Sequence, residues 1–269
     1  MLKKTKFYVL AIAAVAVAVL LIYAAVNLFT SPPIGEEAPD GSEAFNVPNA
    51  SPTTDATPAP DTEESDLLFL SKRGYISEWG CPTLVGEVKN GGNFSMTDIL
   101  LTASFYCSSG KLIGAEDDIS AVTTSYTAIP ILAPNETSPF KIALSIEELS
   151  QLDNFDVNNI EKFKVVGEYS TTDEELYTRF EIPHSSGEFD LDNDQYYVTG
   201  TVKNIGNETA EQVTVVGTFY DDQTRIIEVL QTSLADSLAP GEENQFEITV
   251  PDETIAYRIE TYQIQAAGS

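Results

Sequence analysis

The chain has 269 residues, with 42 acidic side chains against 14 basic ones and a net charge of −28. That balance excludes nucleic acid as a partner, because phosphate binding needs clustered cations. One His and two Cys leave little material for soft-metal sites or imidazole catalysis, and the length suits about two ordinary domains.

The chain opens on a basic tail, residues 1–6, with Lys3, Lys4 and Lys6. Residues 7–29 form an uncharged apolar run of 23 residues. As a helix it would span about 35 Å, enough for a hydrocarbon core of about 30 Å. The cations before it predict a cytoplasmic N-terminus. The next basic residue is Lys72, which agrees with export of everything after the helix. A cleaved signal peptide is the rival reading, but the run exceeds a usual h-region and has no clear A-x-A site. The expectation is a single-pass cell-membrane protein held in lipid by this helix, with its C-terminal domains extracytoplasmic.

Residues 30–66 hold seven of the 14 prolines among Ser, Thr, Ala, Asp and Glu. Such a composition cannot offset its ordering entropy by burial, so it predicts a disordered stalk.

Beyond residue 66, apolar runs rich in Val, Ile, Thr, Phe and Tyr are punctuated by Gly, Asn, Asp and Pro. The pattern predicts an all-β fold of two tandem Ig-like β-sandwich domains, at 67–183 and 184–269. Expected strands are 84–89, 98–107, 111–121, 138–144, 161–169 and 176–182 in the first domain. In the second they are 196–203, 212–220, 225–232, 244–250 and 259–265. The helix-like stretch SIEELSQL carries a capping-box pattern in Ser145 and Glu148.

The two halves repeat one another. Shifted by 114, GEVKNGGN (86–93) falls on GTVKNIGN (200–207), and Phe105 and Tyr106 fall on Phe219 and Tyr220. At a shift of 106, LAPNETSPFKI (132–142) falls on LAPGEENQFEI (238–248). At 99, Ile160 and Phe163 fall on Ile259 and Tyr262. A duplicated β-domain accounts for all three shifts.

The segments LVGEVKNGGN, TASFYC and LAPNETSPFKI, with VTGTVKNIGN, VVGTFYDD and LAPGEENQFEI, carry a resemblance. In this order they resemble the FxLYD-type and related immunoglobulin-like domains of prokaryotic membrane-anchored surface proteins. The signature's first Phe is replaced by Ala103 and Gly217, its Leu by Phe105 and Phe219, and its closing Asp by Cys107 in the first copy. The resemblance implies modules that bind, space or display, and it implies no chemistry.

Cys81 and Cys107 are expected to form a disulfide. An exported domain permits one, and antiparallel strands 84–89 and 98–107 would bring both to the same end. Four N-x-[ST] sequons, at Asn49, Asn93, Asn135 and Asn207, are candidate glycosylation sites. Asn93 and Asn207 are equivalent positions of the repeat, and turn chemistry alone also explains an Asn there. Asp190, Asp192 and Asp194 offer alternating hard oxygen ligands for a calcium ion, the one cofactor considered. A solvated acidic loop is the plainer reading. His184, the only imidazole, sits in an expected turn, and no hydrolase or phosphate-loop motif occurs. Tyr75, Trp79, Tyr126, Tyr196 and Tyr197 could meet a ligand or pack at domain ends.

The functional expectation is a non-catalytic, membrane-anchored binding, adhesion or envelope-organising protein that meets an extracytoplasmic protein or glycan. An accessory subunit of a membrane transport or secretion complex is the alternative. An extracellular hydrolase has the least support.

Overall fold

The computed structural model describes residues 66–113, 121–152 and 156–268. The expected anchor, the stalk and Asn49 lie outside the described residues. Among the described residues no helix is long and apolar enough to cross a membrane.

The described chain is all-β. Its first six strands are β1 (Leu67–Ile76), β2 (Pro82–Asn90), β3 (Ser95–Tyr106), β4 (Val122–Tyr126), β5 (Thr137–Ala143) and β6 (Lys162–Thr172). The next six are β7 (Phe180–Asp190), β8 (Gln195–Asn204), β9 (Thr214–Tyr220), β10 (Ile226–Ser233), β11 (Glu243–Val250) and β12 (Thr261–Ala267). Short helices α1 (Ile146–Ser150) and α2 (Glu253–Ala256) follow β5 and β11, and a 3-10 turn spans Val157–Asn159. Ser145 and Glu148 close the expected capping box on α1.

The strands form four three-stranded sheets, ordered β1-β2-β5, β4-β3-β6, β7-β8-β11 and β10-β9-β12. The second pair of sheets reproduces the first, strand for strand. Gly86 pairs with Phe140, as Gly200 pairs with Phe246. Ala103 lies between Thr123 and Val165, as Gly217 lies between Leu230 and Ile264. Isolated bridges Met96–Leu132 and Ala210–Leu238 also correspond.

Within each pair, alternate residues turn inward to a shared core. Leu84, Val88, Leu101, Phe105, Phe140 and Ile142 fill the first core, and Val198, Val202, Val215, Phe219, Phe246 and Ile248 fill the second. Period-2 alternation places such side chains on one face of each strand.

Two expectations shift. β1 was not foreseen, and residues 180–182, expected to close the first set of strands, open β7, where Phe180 and Glu181 pair with β8. Both lead strands carry a bulge at the same place, between Phe69 and Ser71 and between Glu181 and His184. A bulge breaks the alternation that marks a strand in sequence, and Pro183 fits one because it has no N–H to donate. Of the strand expected over 111–121, residues 114–120 lie outside the described residues. On either side Leu112 bridges Tyr106 and Ala121 N–H donates to the Ile113 carbonyl, and β4 follows from Val122.

The two sheet pairs stack side by side through the outer faces of β1-β2-β5 and of β10-β9-β12. Strand β10 lies against β1, β2 and β5. Along β2, Leu84, Val85 and Val88 are all fully buried, so both faces of the strand are covered. Val216, Ile226, Val229 and Ala267 from the second half join the cluster that contains Val85. Glu228, 2% exposed, accepts from Lys141 Nζ at 2.7 Å and from the Tyr75 hydroxyl at 3.3 Å. The backbone N–H of Val229 donates to its other oxygen at 2.7 Å. Burial pushes the Glu228 carboxyl up, and Lys141 opposes that shift.

The stack has two unlike ends. At one end Gly91 N–H donates to the Asp66 carbonyl and Asn135 N–H to the Asn90 carbonyl. A cleft of about 440 Å³ joins this end to the second half, between Asn135 and Glu136 on one side and Leu176, Phe180 and Ala267 on the other. At the opposite end the β1–β2 turn meets α2. Glu78 N–H donates to Asp252 Oδ2 at 3.1 Å, and Glu253 N–H donates back to Glu78 Oε2 at 3.2 Å.

Candidate functional site

The expected disulfide is not formed: Cys81 and Cys107 are both free thiols. The reason is topological. Cys81 precedes β2 and Cys107 follows β3, and these strands belong to opposite sheets of the first pair. Facing sheets lie about 10 Å apart, beyond the Cα separation of under about 7 Å that a bridge spans. Each cysteine is instead held in its own turn. Cys81 N–H donates to Ser77 Oγ at 3.1 Å, and Cys107 Sγ lies 3.1 Å from Ser109 Oγ and 3.3 Å from the Lys111 carbonyl.

Asn93, Asn135 and Asn207 are exposed. All three fall at the end where the chain enters β1. Asn135 adopts φ 70°, a left-handed turn position whose equivalent in the second copy is Gly241, φ 80°. Turn geometry therefore explains the Asn in that sequon, and the side chain remains accessible.

Asp190, Asp192 and Asp194 lie at the β7–β8 turn, where the Asp190 carboxylate serves the turn itself. Asp190 accepts from Asp192 N–H at 2.8 Å, from Asn193 Nδ2 at 2.7 Å and from the Tyr197 hydroxyl at 2.9 Å. The hydrogen bonds from Asn193, Asp192 and Tyr197 hold its carboxyl below the usual range. Asp194 accepts from the Tyr257 hydroxyl at 2.7 Å. No group of three or more His, Cys, Asp or Glu able to hold a metal ion is found among the described residues.

His184 is in strand β7, opposite Thr201, where a turn was expected. It shares an open depression of about 560 Å³ with Ser185, Ser186 and Glu247, but no hydrogen bond joins it to any of them. Tyr196 packs edge-on against Phe219 in the second core. Tyr75 serves the contact between sheet pairs, whereas Trp79 and Tyr126 are exposed.

A charge cluster around Asp221 is not apparent from the sequence. Asp221 closes the β9–β10 turn by accepting from the N–H groups of Gln223 and Arg225 at 3.1 and 2.9 Å. Its other oxygen receives Arg225 Nε at 2.9 Å and Nη2 at 2.8 Å, with Arg73 Nη1 of the first half at 3.0 Å. Arg258 Nη2 stands 3.7 Å away. Burial alone would raise the Asp221 carboxyl, but the bonds from Arg225 and Arg73 outweigh it and hold the carboxyl at about 2. Asp221 is the repeat equivalent of Cys107, and both turns close with the same backbone bond, from residue 107 to 111 and from 221 to 225. The sequence shows Asp at this signature position. It does not show that docking brings Arg73 from 148 residues away.

Beside this cluster Tyr257, 57% exposed, lies against Phe189 with ring centroids 4.4 Å apart. Arg225, Arg258, Tyr257, Asp222 and Glu260 line a cleft of about 290 Å³.

No protein-family model and no curated protein matches the chain. Among solved structures it is similar to red sea bream transglutaminase, at 9% identity and a TM-score of 0.23, over 75% of this chain and 29% of that one. It is also similar to a β-glucuronidase of glycoside hydrolase family 2, at 10% identity and a TM-score of 0.23, over 65% of this chain and 20% of that one. A Bacteroides uniformis β-glucuronidase 2 variant gives 13% identity and a TM-score of 0.20. The chain thus spans less than a third of the length of each of these enzymes.

Proposed function

We propose that the chain is a non-catalytic extracytoplasmic binding protein. In this reading residues 7–29 anchor it in the cell membrane, residues 30–66 form a stalk, and two Ig-like β-sandwiches of the FxLYD type form the head. The observation that supports this most is the polarity of the head. The chain enters β1 from Asp66 at the end that also carries Asn93 and Asn135. Strand β1, ten residues long, then runs about 33 Å to the other end. There the exposed Trp79 and Tyr257 and the arginine cluster lie, farthest from where the stalk arrives. A binding surface held away from a membrane has this layout. Sequons near the stalk would place any glycans clear of the tip.

The test is made on the full chain produced in a prokaryotic host. The reading expects it to remain in the membrane pellet after alkaline extraction, and its head to be labelled on intact cells by a membrane-impermeant amine reagent. Recovery in the soluble fraction, or labelling only after lysis, overturns the reading.

A further inference from the structure

We propose that the cleft formed by Arg225, Arg258 and Tyr257 binds a carboxylated sugar, with the arginines holding the carboxylate and the tyrosine ring holding the sugar face. The inference rests on the binding role proposed above and names the ligand class of the tip.

Three guanidiniums, those of Arg73, Arg225 and Arg258, converge on the one buried carboxylate of Asp221, and Asp222 and Glu260 also line the cleft. Burial pushes the Arg73 guanidinium down, the charges of Arg258 and Arg225 push it down further, and the bond to Asp221 opposes them. Arg258 is 40% exposed, and its Asp221 contact at 3.7 Å is longer than a hydrogen bond. Its fork of donors therefore faces the cleft free to take a second carboxylate, and bidentate pairing is what a guanidinium does best. Arg225, 44% exposed, lies on the same cleft.

Tyr257 supplies the second half of the site. Its hydroxyl is fixed by Asp194 and its ring by Phe189, so it is ordered before any ligand arrives. An exposed aromatic face beside a cation suits an amphipathic ligand with an apolar C–H face and an anionic group. Asp222 and Glu260 on the rim narrow the class further. They accept hydrogen bonds from hydroxyl groups, and their repulsion of an anion grows with its charge, so a singly charged ligand is opposed less than a phosphate or a polyanion. A singly charged, hydroxyl-rich ligand meets all these conditions, and a volume of about 290 Å³ accommodates one sugar ring.

The test is titration of the full-length, detergent-solubilised protein with D-glucuronate, D-glucose and an acetylated glutamyl peptide, followed by calorimetry or ligand-observed NMR. Glucuronate should bind, acetate should compete with it, and glucose and the peptide should bind at least about tenfold more weakly. R258A should lower glucuronate affinity at least about tenfold while leaving the melting temperature unchanged, because Arg258 makes no short bond to the fold. Equal binding of glucose removes the carboxylate from the argument. Equal binding of the peptide removes the sugar, and an unaltered R258A titration overturns the site. None of these outcomes bears on membrane anchorage, which fractionation tests separately.

Discussion

Asn90 and Asn204, 114 residues apart, do the same work in the two halves of the chain. Each is fully buried at the end of the second strand of its half. Asn90 Nδ2 donates to the carbonyls of Phe94 and Leu132 at 2.7 and 2.8 Å, and Asn204 Nδ2 donates to those of Glu208 and Leu238 at the same distances. Each Oδ1 accepts the N–H two residues on, Gly92 or Gly206, at 2.9 Å. One side chain thus ties a strand end, its following turn and the L-A-P turn together. The repeated Lys-Asn-x-Gly stretch is a structural knot.

Replacing either asparagine should therefore cost more than a surface change. Asn90→Ala or Asn204→Ala leaves buried carbonyls and an N–H without partners, a loss of about 2–4 kcal/mol. Asn→Asp should fare no better, because a carboxylate cannot donate. Chemical denaturation of each variant checks this. A loss below about 0.5 kcal/mol would mean that the network is not needed.

The glycine before each knot is demanded by close approach. A Cβ at Gly200 would stand 2.7 Å from the His184 carbonyl oxygen and would also meet the Phe246 ring. At Gly86 it would meet the Ser71 carbonyl and the Phe140 ring. Gly200→Ala should destabilise by about 3 kcal/mol through overpacking, whereas Gly110→Ala, in an open turn, should owe its smaller cost to its φ of 77° alone. Parallel denaturant midpoints of the two variants measure the difference.

Much of this architecture was legible in the sequence. The three shifts, 114, 106 and 99, are the ones the strand pairings obey, because register follows the alternation of core residues. What was hidden has physical causes. The lead strands β1 and β7 are bulged, so the alternation around Leu70 and Pro183 breaks. Cys81 and Cys107 would meet only if β2 and β3 were neighbours in one sheet, and strand order is not written in local pattern. The arginine cluster depends on tertiary structure: Arg225 is local to the Asp221 turn, but Arg258 comes from the segment before β12 and Arg73 only through the docking of the two sheet pairs.

Asp221 sets an acid limit on stability. Its carboxyl is depressed to about 2, against an ordinary value of 3.8. It therefore contributes stability fully above about 4 and loses it as pH falls through about 2, a contribution on the order of 2 kcal/mol. Glu228 has the opposite sign. Its raised carboxyl gives most stability at low pH and loses it as pH rises through the folded value. Denaturation of the wild type and Asp221→Asn between pH 7 and pH 2 separates the two. The gap between the proteins should close as pH falls, and a gap constant with pH would exclude Asp221 as the source.

The thiols should behave as two independent groups. Cys81 and Cys107 should both react with a maleimide without prior reduction, Cys107 the faster. Its thiol is pushed down by hydrogen bonding from Ser109 and so ionises more readily. Reductant should leave the melting temperature unchanged. A melting temperature that falls on reduction would show a bridge.

The central claim is that the four sheets form one body, with Lys141 locked to Glu228 and Arg73 to Asp221 across the joint. Backbone N–H residual dipolar couplings of the full chain in weakly aligned micelles measure this directly. Strands β1–β6 and β7–β12 should fit a single alignment tensor together, as well as each set fits its own. Two tensors of different magnitude or axis would show that the halves move independently, and would contradict the account.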